Sequence, residues 1–388
     1  MRRQRASLIF RAGTSITLNR VLRNQLRFLR EDGWRVCCVC DDDEWAVELR
    51  RLGLEHRPIG MGRRPSPVEV LAWGLRFYWL CRRERPDVVH THNAFHGIAG
   101  RLAARIAGVP VIVQTVHNWY YLEPPASPRA RIFRFLERVA AHFCDGVLFI
   151  NRDDYERAVR ERIMRPEKRY YIGNGIDVGR FEVELAAVDP AEARSRFGLT
   201  DDDAVLSMVA RLEPPKDHDM LLSALPAVVE SIPELRVLLA GHGLLTDAVR
   251  ARVAELGLAD RVKILGHRDD VAAILRASDA HVLTSSYEGF GRCLVEAMVA
   301  GVPVVGTDVV GIRDVIHPNE TGLLVQHGDI AGLSQALVTV LNEDAGQSEL
   351  ARRARVAAVE TFDERLPAKR VAEIYAELLD RRTASGGG

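Results

Sequence analysis

The sequence predicts an α/β protein of two domains, each a parallel sheet covered by helices on both faces. Three observations predict it. Short apolar runs alternate with amphipathic helical patterns along the chain, the alternation restarts near residue 204, and 388 residues exceed what one hydrophobic core ordinarily serves. In the first half the runs that read as strands are Ser7–Phe10, Arg35–Cys40, Asp87–His90, Pro110–Val116, Gly146–Ile150 and Arg169–Ile172. Helical periodicity fills the intervals at about 16–31, 67–84, 97–107, 128–143 and 152–163. The second half repeats the pattern, with strands near 204–210, 235–240, 261–265, 279–283, 303–306 and 322–325, each followed by a helical segment. Domains at 1–172 and 178–360 follow, and a helix over about 364–380 is expected to pack back on the first. Between them GNGIDVGRFEVELAAVDP, with three glycines and a proline, reads as a linker.

Composition narrows the class. With 47% hydrophobic and 27% charged residues the chain matches ordinary globular proteins. No apolar run reaches the roughly 18 residues of a membrane span; the stretch Val68–Leu80 is interrupted by Arg76. No secretory signal is visible. The six cysteines (37, 38, 40, 81, 144 and 293) have neither disulfide-scaffold density nor paired C-x-x-C spacing, so buried thiols in a reducing, cytoplasmic compartment are expected and structural zinc is not. Net charge is zero, yet residues 1–170 hold 31 basic and 19 acidic residues, leaving 22 and 34 for the remainder. A basic first half suits an anionic partner such as phosphate, a membrane surface or nucleic acid. Only four residues are lysine, so the bias is toward arginine.

Ligands of parallel sheets bind beyond the carboxyl ends of the strands, which directs attention to the loops there. The most informative segment is SSYEGFGRCLVEAMVAGVPVV. A strand ends near Leu283, a turn carries Glu288, Gly289, Phe290 and Gly291, and a helix starts near Arg292. Two glycines allow close backbone approach, and the helix start offers free N–H groups and a positive dipole end, together a phosphate cradle. Glu296, one turn into the helix, is placed to accept hydrogen bonds from vicinal ribose hydroxyls. After an earlier strand, Arg211 and Lys216 lie five residues apart, a planar fork and a compact charge able to reach one pyrophosphate from two sides.

This segment resembles the Glu-x7-Glu motif of the retaining glycosyltransferases of family 4, which have the GT-B fold of two Rossmann-like domains facing across a cleft. The similarity extends over nearly the whole chain. YIGNGIDVGRF, with Asn174, resembles the family's Asn-Gly-Ile/Val-Asp segment; VARLEPPKDHDMLLSAL resembles its Arg-Leu-x3-Lys motif. LLAGHG, with Gly241, resembles its Gly-x-Gly turn, and DVVHTHNAFHGIAGRLAARIAGVPVIVQTVHNWYY its first-domain His region. The resemblance implies that the second domain binds a sugar nucleotide, UDP-linked, and the first an acceptor. It implies catalytic roles for His117, Glu288, Arg211 and Lys216. Substrate contacts are implied for Gly13, Thr14, Asn174, Gly241, His267, Gly289, Phe290, Gly291 and Glu296. No cofactor and no metal are implied, since fixed cations neutralise the leaving diphosphate.

Other segments test that picture. His117 ends the apolar strand Pro110–Val116, at the edge where a ligand is expected. HTHNAFH, with His90, His92 and His96, departs from zinc-ligand spacing and reads as structural or acceptor-side. The first loop, FRAGTSITL, has only Gly13 where the family usually has two glycines, but it follows a strand and opens a helix, so a diphosphate contact is retained. Asn118 stands where many relatives have glycine. CDDDEW at 40–45 resembles an Asp-x-Asp metal site, yet the restart at 204 and the glutamate pair favour a helix cap for Asp41–Asp43. Two basic amphipathic stretches, Arg63–Arg85 and Arg129–Phe143, suit a membrane interface or a lipid diphosphate, unless their aromatics pack inward.

The expected activity is therefore hexosyl transfer with retention, from a nucleotide sugar to a lipid-linked or surface-polysaccharide glycan. The region 90–159 also resembles members that elongate lipid-linked sugars. The alternatives are a small soluble acceptor, a sugar-nucleotide epimerase on the same scaffold, and a sugar-binding protein without catalysis. No motif of a nucleic-acid-binding module is visible.

Overall fold

The computed structural model describes residues 7–11, 15–61, 65–92, 94–119, 122, 127–343 and 348–385. The chain forms two compact units, one running to Asn174 and resuming at Glu364, the other Gly175–Asp363.

The strands of the first unit are β1 (Ser7–Arg11), β2 (Arg35–Cys40), β3 (Glu55–Pro58), β4 (Val88–His92), β5 (Val111–Val116), β6 (Gly146–Phe149) and β7 (Arg169–Tyr171). They pair in parallel in the order β3-β2-β1-β4-β5-β6-β7. Its helices are α1 (Ser15–Arg20), α2 (Arg23–Glu31), α3 (Glu44–Arg51), α4 (Pro67–Glu84), α5 (Ala94–Ile106), α6 (Pro128–His142) and α7 (Arg152–Arg160). Strand alternation sends successive side chains to opposite faces. Cys37, Val39, Val89 and Ile112 thus meet Trp73 and Phe77 of α4, Ala104 of α5 and Phe133 of α6. Val36, Cys38, Val88 and Val113 meet Leu26, Leu29 and Leu49 on the other side. Each fully buried side chain of this size contributes about 1.5–3 kcal/mol. Both α4 and α6 begin with Ser-Pro, the serine accepting a backbone N–H and the proline filling the first helical position. The buried Arg101–Glu137 pair (2.6 Å) ties α5 to α6.

The second unit has β8 (Ala204–Val209), β9 (Leu235–Ala240), β10 (Val262–Gly266), β11 (Ala280–Leu283), β12 (Val304–Thr307) and β13 (Leu323–Val325). They are parallel, in the order β10-β9-β8-β11-β12-β13. The helices are α8 (Val178–Ala186), α9 (Pro190–Arg196), α10 (His218–Ser231), α11 (Thr246–Glu255), α12 (Val271–Arg276), α13 (Arg292–Ala300), α14 (Ile330–Leu341) and α15 (Glu349–Thr361). Ile176, where the chain enters, pairs with Asp363, where it leaves. The last helix, α16 (Arg365–Ser385), belongs to the first unit and buries Val371, Ile374, Tyr375 and Leu378 against its sheet.

Three sequence expectations change. The supposed linker contains α8, capped by the Asp177 carboxylate and burying Val178, Phe181 and Leu185. The helix over 16–31 breaks into α1 and α2 at Val21–Leu22. β3 is a strand that no apolar run announced. Asp43 caps α3, accepting the N–H groups of Trp45 (3.1 Å) and Ala46 (3.2 Å) and the Ser15 hydroxyl, as a capping rather than metal-binding role requires. Among the described residues no helix is long and apolar enough to cross a membrane. All six cysteines are unpaired.

Candidate active site

In each sheet the strand order reverses once, between β1 and β4 and between β8 and β11. Beyond the carboxyl ends of strands at such a point the flanking loops part, leaving room for a ligand. In the second unit Lys216 follows β8 and Glu288 follows β11. Their side chains form an ion pair, each 17% exposed. Glu288 also accepts the N–H of Gly289 (3.1 Å) and the hydroxyl of Ser285 (3.4 Å).

The backbone under Lys216 is fixed from several sides. Pro214–Lys216 make one tight turn, and Asp217, at φ 42°, caps α10 by accepting the Met220 N–H. Thr284 donates its hydroxyl toward the carbonyls of Lys216 (3.1 Å) and Asp217 (2.9 Å), clamping the loop to the end of β11. His327 Nε2 reaches the Asp217 carboxylate at 2.7 Å. Burial, aided by Lys216, lowers His218 to about 4, so this imidazole is neutral at pH 7.

Gly291 opens α13 in the left-handed conformation, and among the described residues no side chain caps that end. The first N–H groups of the helix are thereby available to an anion. Glu296, half-buried one turn on, has its carboxyl pushed up by burial, with Arg292 opposing. Two glycines make the close approaches possible. A Cβ on Gly311 (φ +79°) would stand 2.6 Å from the Glu288 carbonyl oxygen, and one on Gly241 (φ +152°) only 1.8 Å from that of Ala210. Gly311 thus seats the turn after β12 on the Glu288–Gly289 backbone. Gly241 seats the turn after β9 on the strand end that leads to Arg211.

Three further predicted residues stand apart from the Lys216–Glu288 pair. Phe290 is 5% exposed and packs edge-on against Phe362, so its side chain belongs to the core and only its backbone faces the turn. Arg211 is not joined to the Lys216–Glu288 pair; its side chain is 75% exposed and lies 3.9 Å from Glu213. His267, after β10, is exposed beside Asp269 (3.5 Å). Gly13 and Thr14 lie outside the described residues. Thr284, Asp217 and Gly311 went unnoticed in the sequence, because their work depends on which loops become neighbours.

In the first unit His117 follows β5, and its Nε2 lies 3.1 Å from His92 Nδ1. The His92 ring is stacked between those of His117 (5.3 Å) and His90 (4.4 Å). His90 Nε2 contacts the Thr115 hydroxyl (2.7 Å), and its Nδ1 contacts the Tyr375 hydroxyl. Burial lowers His117 to about 4 and His90 to about 3, so both rings are neutral at pH 7. A neutral ring presents one donor and one acceptor nitrogen, so the contact with His92 Nδ1 can hold His117 in one tautomer. His117 and Asn174 line one cavity of about 40 Å³ with Thr115 and Glu364, bringing together two residues 57 positions apart.

Comparison with known proteins adds the following. Residues 18–180 match the family described as Glycosyltransferase Family 4, and residues 189–358 the one described as Glycosyl transferases group 1. The chain is 30% identical over 285 residues to the Escherichia coli UDP-Gal:alpha-D-GlcNAc-diphosphoundecaprenol alpha-1,3-galactosyltransferase, covering 72% of this chain and 73% of that one. The chain belongs to glycosyltransferase family 4. The Streptomyces scabiei D-inositol 3-phosphate glycosyltransferase is 30% identical, over 83% of this chain and 76% of its own. Among solved structures, Anabaena HepE in complex with UDP and glucose superposes with a TM-score of 0.78 at 21% identity, covering 96% of this chain and 100% of that chain. That likeness establishes the fold of this family member as GT-B.

Proposed function

We propose that this glycosyltransferase moves a hexosyl group from a UDP-sugar to an acceptor hydroxyl with retention of anomeric configuration, using fixed cations rather than a metal ion. The observation that carries the reading is the Lys216–Glu288 pair where the sheet order reverses, beside the uncapped start of α13. Glu296 holds the ribose hydroxyls, and Glu288 with the amides of its turn holds the donor sugar and diphosphate. As the bond from the anomeric carbon to the diphosphate breaks, negative charge gathers on the leaving oxygens. Lys216 and the exposed Arg211 neutralise it, the electrostatic contribution that usually dominates such steps. The acceptor oxygen bonds to the same face of that carbon, and its proton passes to the departing phosphate. His117 and Asn174 serve the transferred sugar and the acceptor, His117 as a neutral hydrogen-bonding group.

The acceptor in this reading is a lipid-linked or surface-polysaccharide glycan, supported by the Escherichia coli relative, whose name specifies a diphosphoundecaprenol acceptor. A soluble acceptor is the second reading, favoured by the inositol 3-phosphate relative. The unpaired cysteines support a cytoplasmic setting.

A donor screen by ligand-induced thermal shift selects the nucleotide sugar, since a bound ligand stabilises the folded state by mass action. Proton NMR of the product, made in excess chelator, then reads the anomeric configuration. The same configuration as the donor is expected. An inverted product, strict dependence on manganese, or UDP release with an epimerised sugar and no acceptor would each overturn the proposal.

A further inference from the structure

The three helices that cover one face of the first sheet carry an unusual outer surface. On α4, Val68, Leu71, Leu75 and Trp79 are exposed and recur at three- and four-residue spacing, a single stripe along about three turns. The opposite side of α4 is buried, so Trp73 is 2% exposed and Trp79 is 66% exposed. The pattern repeats on the neighbouring helices, with Phe95, Leu102 and Ile106 exposed on α5 and Ile132, Phe135 and Val139 on α6. Among the described residues, ten of the sixteen exposed large hydrophobic side chains lie on these three helices. Scattered apolar residues are normal on a surface; a contiguous apolar face marks a docking site.

Charge identifies what docks. The three helices contain nine arginines and three glutamates. Each glutamate is already engaged: Glu69 in the Ser66 cap, Glu84 with Arg35 and Arg57, Glu137 buried against Arg101. Arg76, Arg82, Arg83, Arg129, Arg131 and Arg138 are exposed. A second copy of this face would set arginine against arginine with no carboxylate to receive it. An anionic bilayer supplies both an apolar layer at shallow depth and phosphate at its edge. We propose that the outer face of α4, α5 and α6 docks this enzyme on an anionic lipid surface. The apolar stripes enter the interface and the arginines meet the headgroups. The inference rests on this surface and not on the acceptor assigned above.

The test uses the full-length protein and sedimentation with vesicles of phosphatidylcholine, with and without phosphatidylglycerol. Binding is expected only with the anionic lipid at low salt, and it should weaken as salt rises, because screening shortens with ionic strength. The L71S/L75S/W79S variant should bind at least tenfold more weakly, and R82S/R83S about tenfold more weakly. In all three proteins the thermal shift produced by UDP should be the same, which shows that folding and the nucleotide site are intact. Absence of binding to anionic vesicles, or binding that the apolar variant leaves unchanged, would overturn the proposal. So would a dimer that the apolar variant dissociates, which would assign the face to a second copy. Vesicle binding without sugar transfer would leave this proposal standing and count against the catalytic reading alone.

Discussion

Replacing Lys216 by methionine keeps the aliphatic stem and removes the charge. In the free protein it leaves the Glu288 carboxylate with only the Gly289 N–H and Ser285 hydroxyl among the contacts described above. At 17% exposure the pair lies between surface pairs, at about 0–1 kcal/mol, and fully buried ones, whose disruption costs about 3–5 kcal/mol. A loss of roughly 1–2 kcal/mol follows, or a fall in melting temperature of about 2–8 °C for a unit of this size. Catalysis should lose more. A charge-assisted hydrogen bond to a departing phosphate contributes about 1.5–3 kcal/mol, so donor kcat/KM should drop about 10- to 150-fold. Calorimetric titration with UDP and steady-state kinetics with the selected donor measure both. A cycle with Glu288→Gln separates them: if the two residues act as a unit, the second substitution costs less in the Lys216→Met background than alone. Wild-type kcat/KM in a folded Lys216→Met protein, or strict additivity in the cycle, would refute the assignment.

Two further outcomes are expected. Gly311→Ala must move the Glu288 carbonyl as well as accept φ +79°, whereas Gly257→Ala at φ +68° meets no neighbouring atom. The first should therefore lose clearly more than the roughly 1 kcal/mol of a strained backbone, and UDP affinity with it, while the second keeps its UDP affinity; denaturant midpoints and UDP titration check both. Burial holds His90 at about 3, His117 at about 4, His218 at about 4 and His281 at about 3. The unfolded chain, with imidazoles near 6.5, binds protons that the folded chain refuses. Stability is then full above about pH 6.5 and falls as pH drops toward the folded values, by up to about 1.4 kcal/mol per pH unit for each group. Melting temperature should decline between about pH 6.5 and 5, because the four imidazoles outweigh the carboxyls of Asp154, raised by burial to about 6, and Glu296, also raised, whose protonation in the folded state works the other way; a flat profile there would count against buried neutral histidines.

Most strands were legible because they are buried on both faces and read as unbroken apolar runs. β3 was not, since Glu55–Pro58 has no apolar run and is held at the sheet edge, with Arg35, Glu55, Arg57 and Glu84 linked as ion pairs beside it. α8 left a readable signal, Asp177 before apolar residues at 178, 181 and 185, but three nearby glycines outweighed it. In the site, Lys216 and Glu288 were accessible from the loops they occupy. The direction of the Phe290 ring, buried against Phe362, was not legible, because sequence position in a glycine turn does not say which way a ring points. The row from His117 to Tyr375 could not be foreseen, since it needs β4 beside β5 in parallel register, with His92 opposite Thr115, and a helix from the far end of the chain.

That far end has a consequence for how the molecule is made. The second unit is complete once Asp363 has been synthesised, and the bridge from Ile176 to Asp363 closes it. The first unit, although translated first, must wait for Val371, Ile374, Tyr375 and Leu378 before its core is whole. Domains usually mature on the ribosome from the N-terminus, at about 5–20 residues per second. Here the order of completion is inverted, and on the nascent first unit the part of one sheet face that α16 covers stays open throughout translation of the second. A stop codon just after Asp363 would therefore damage the unit that is translated first. It would remove the hydroxyl that meets His90 while leaving Lys216 and Glu288 in a finished unit.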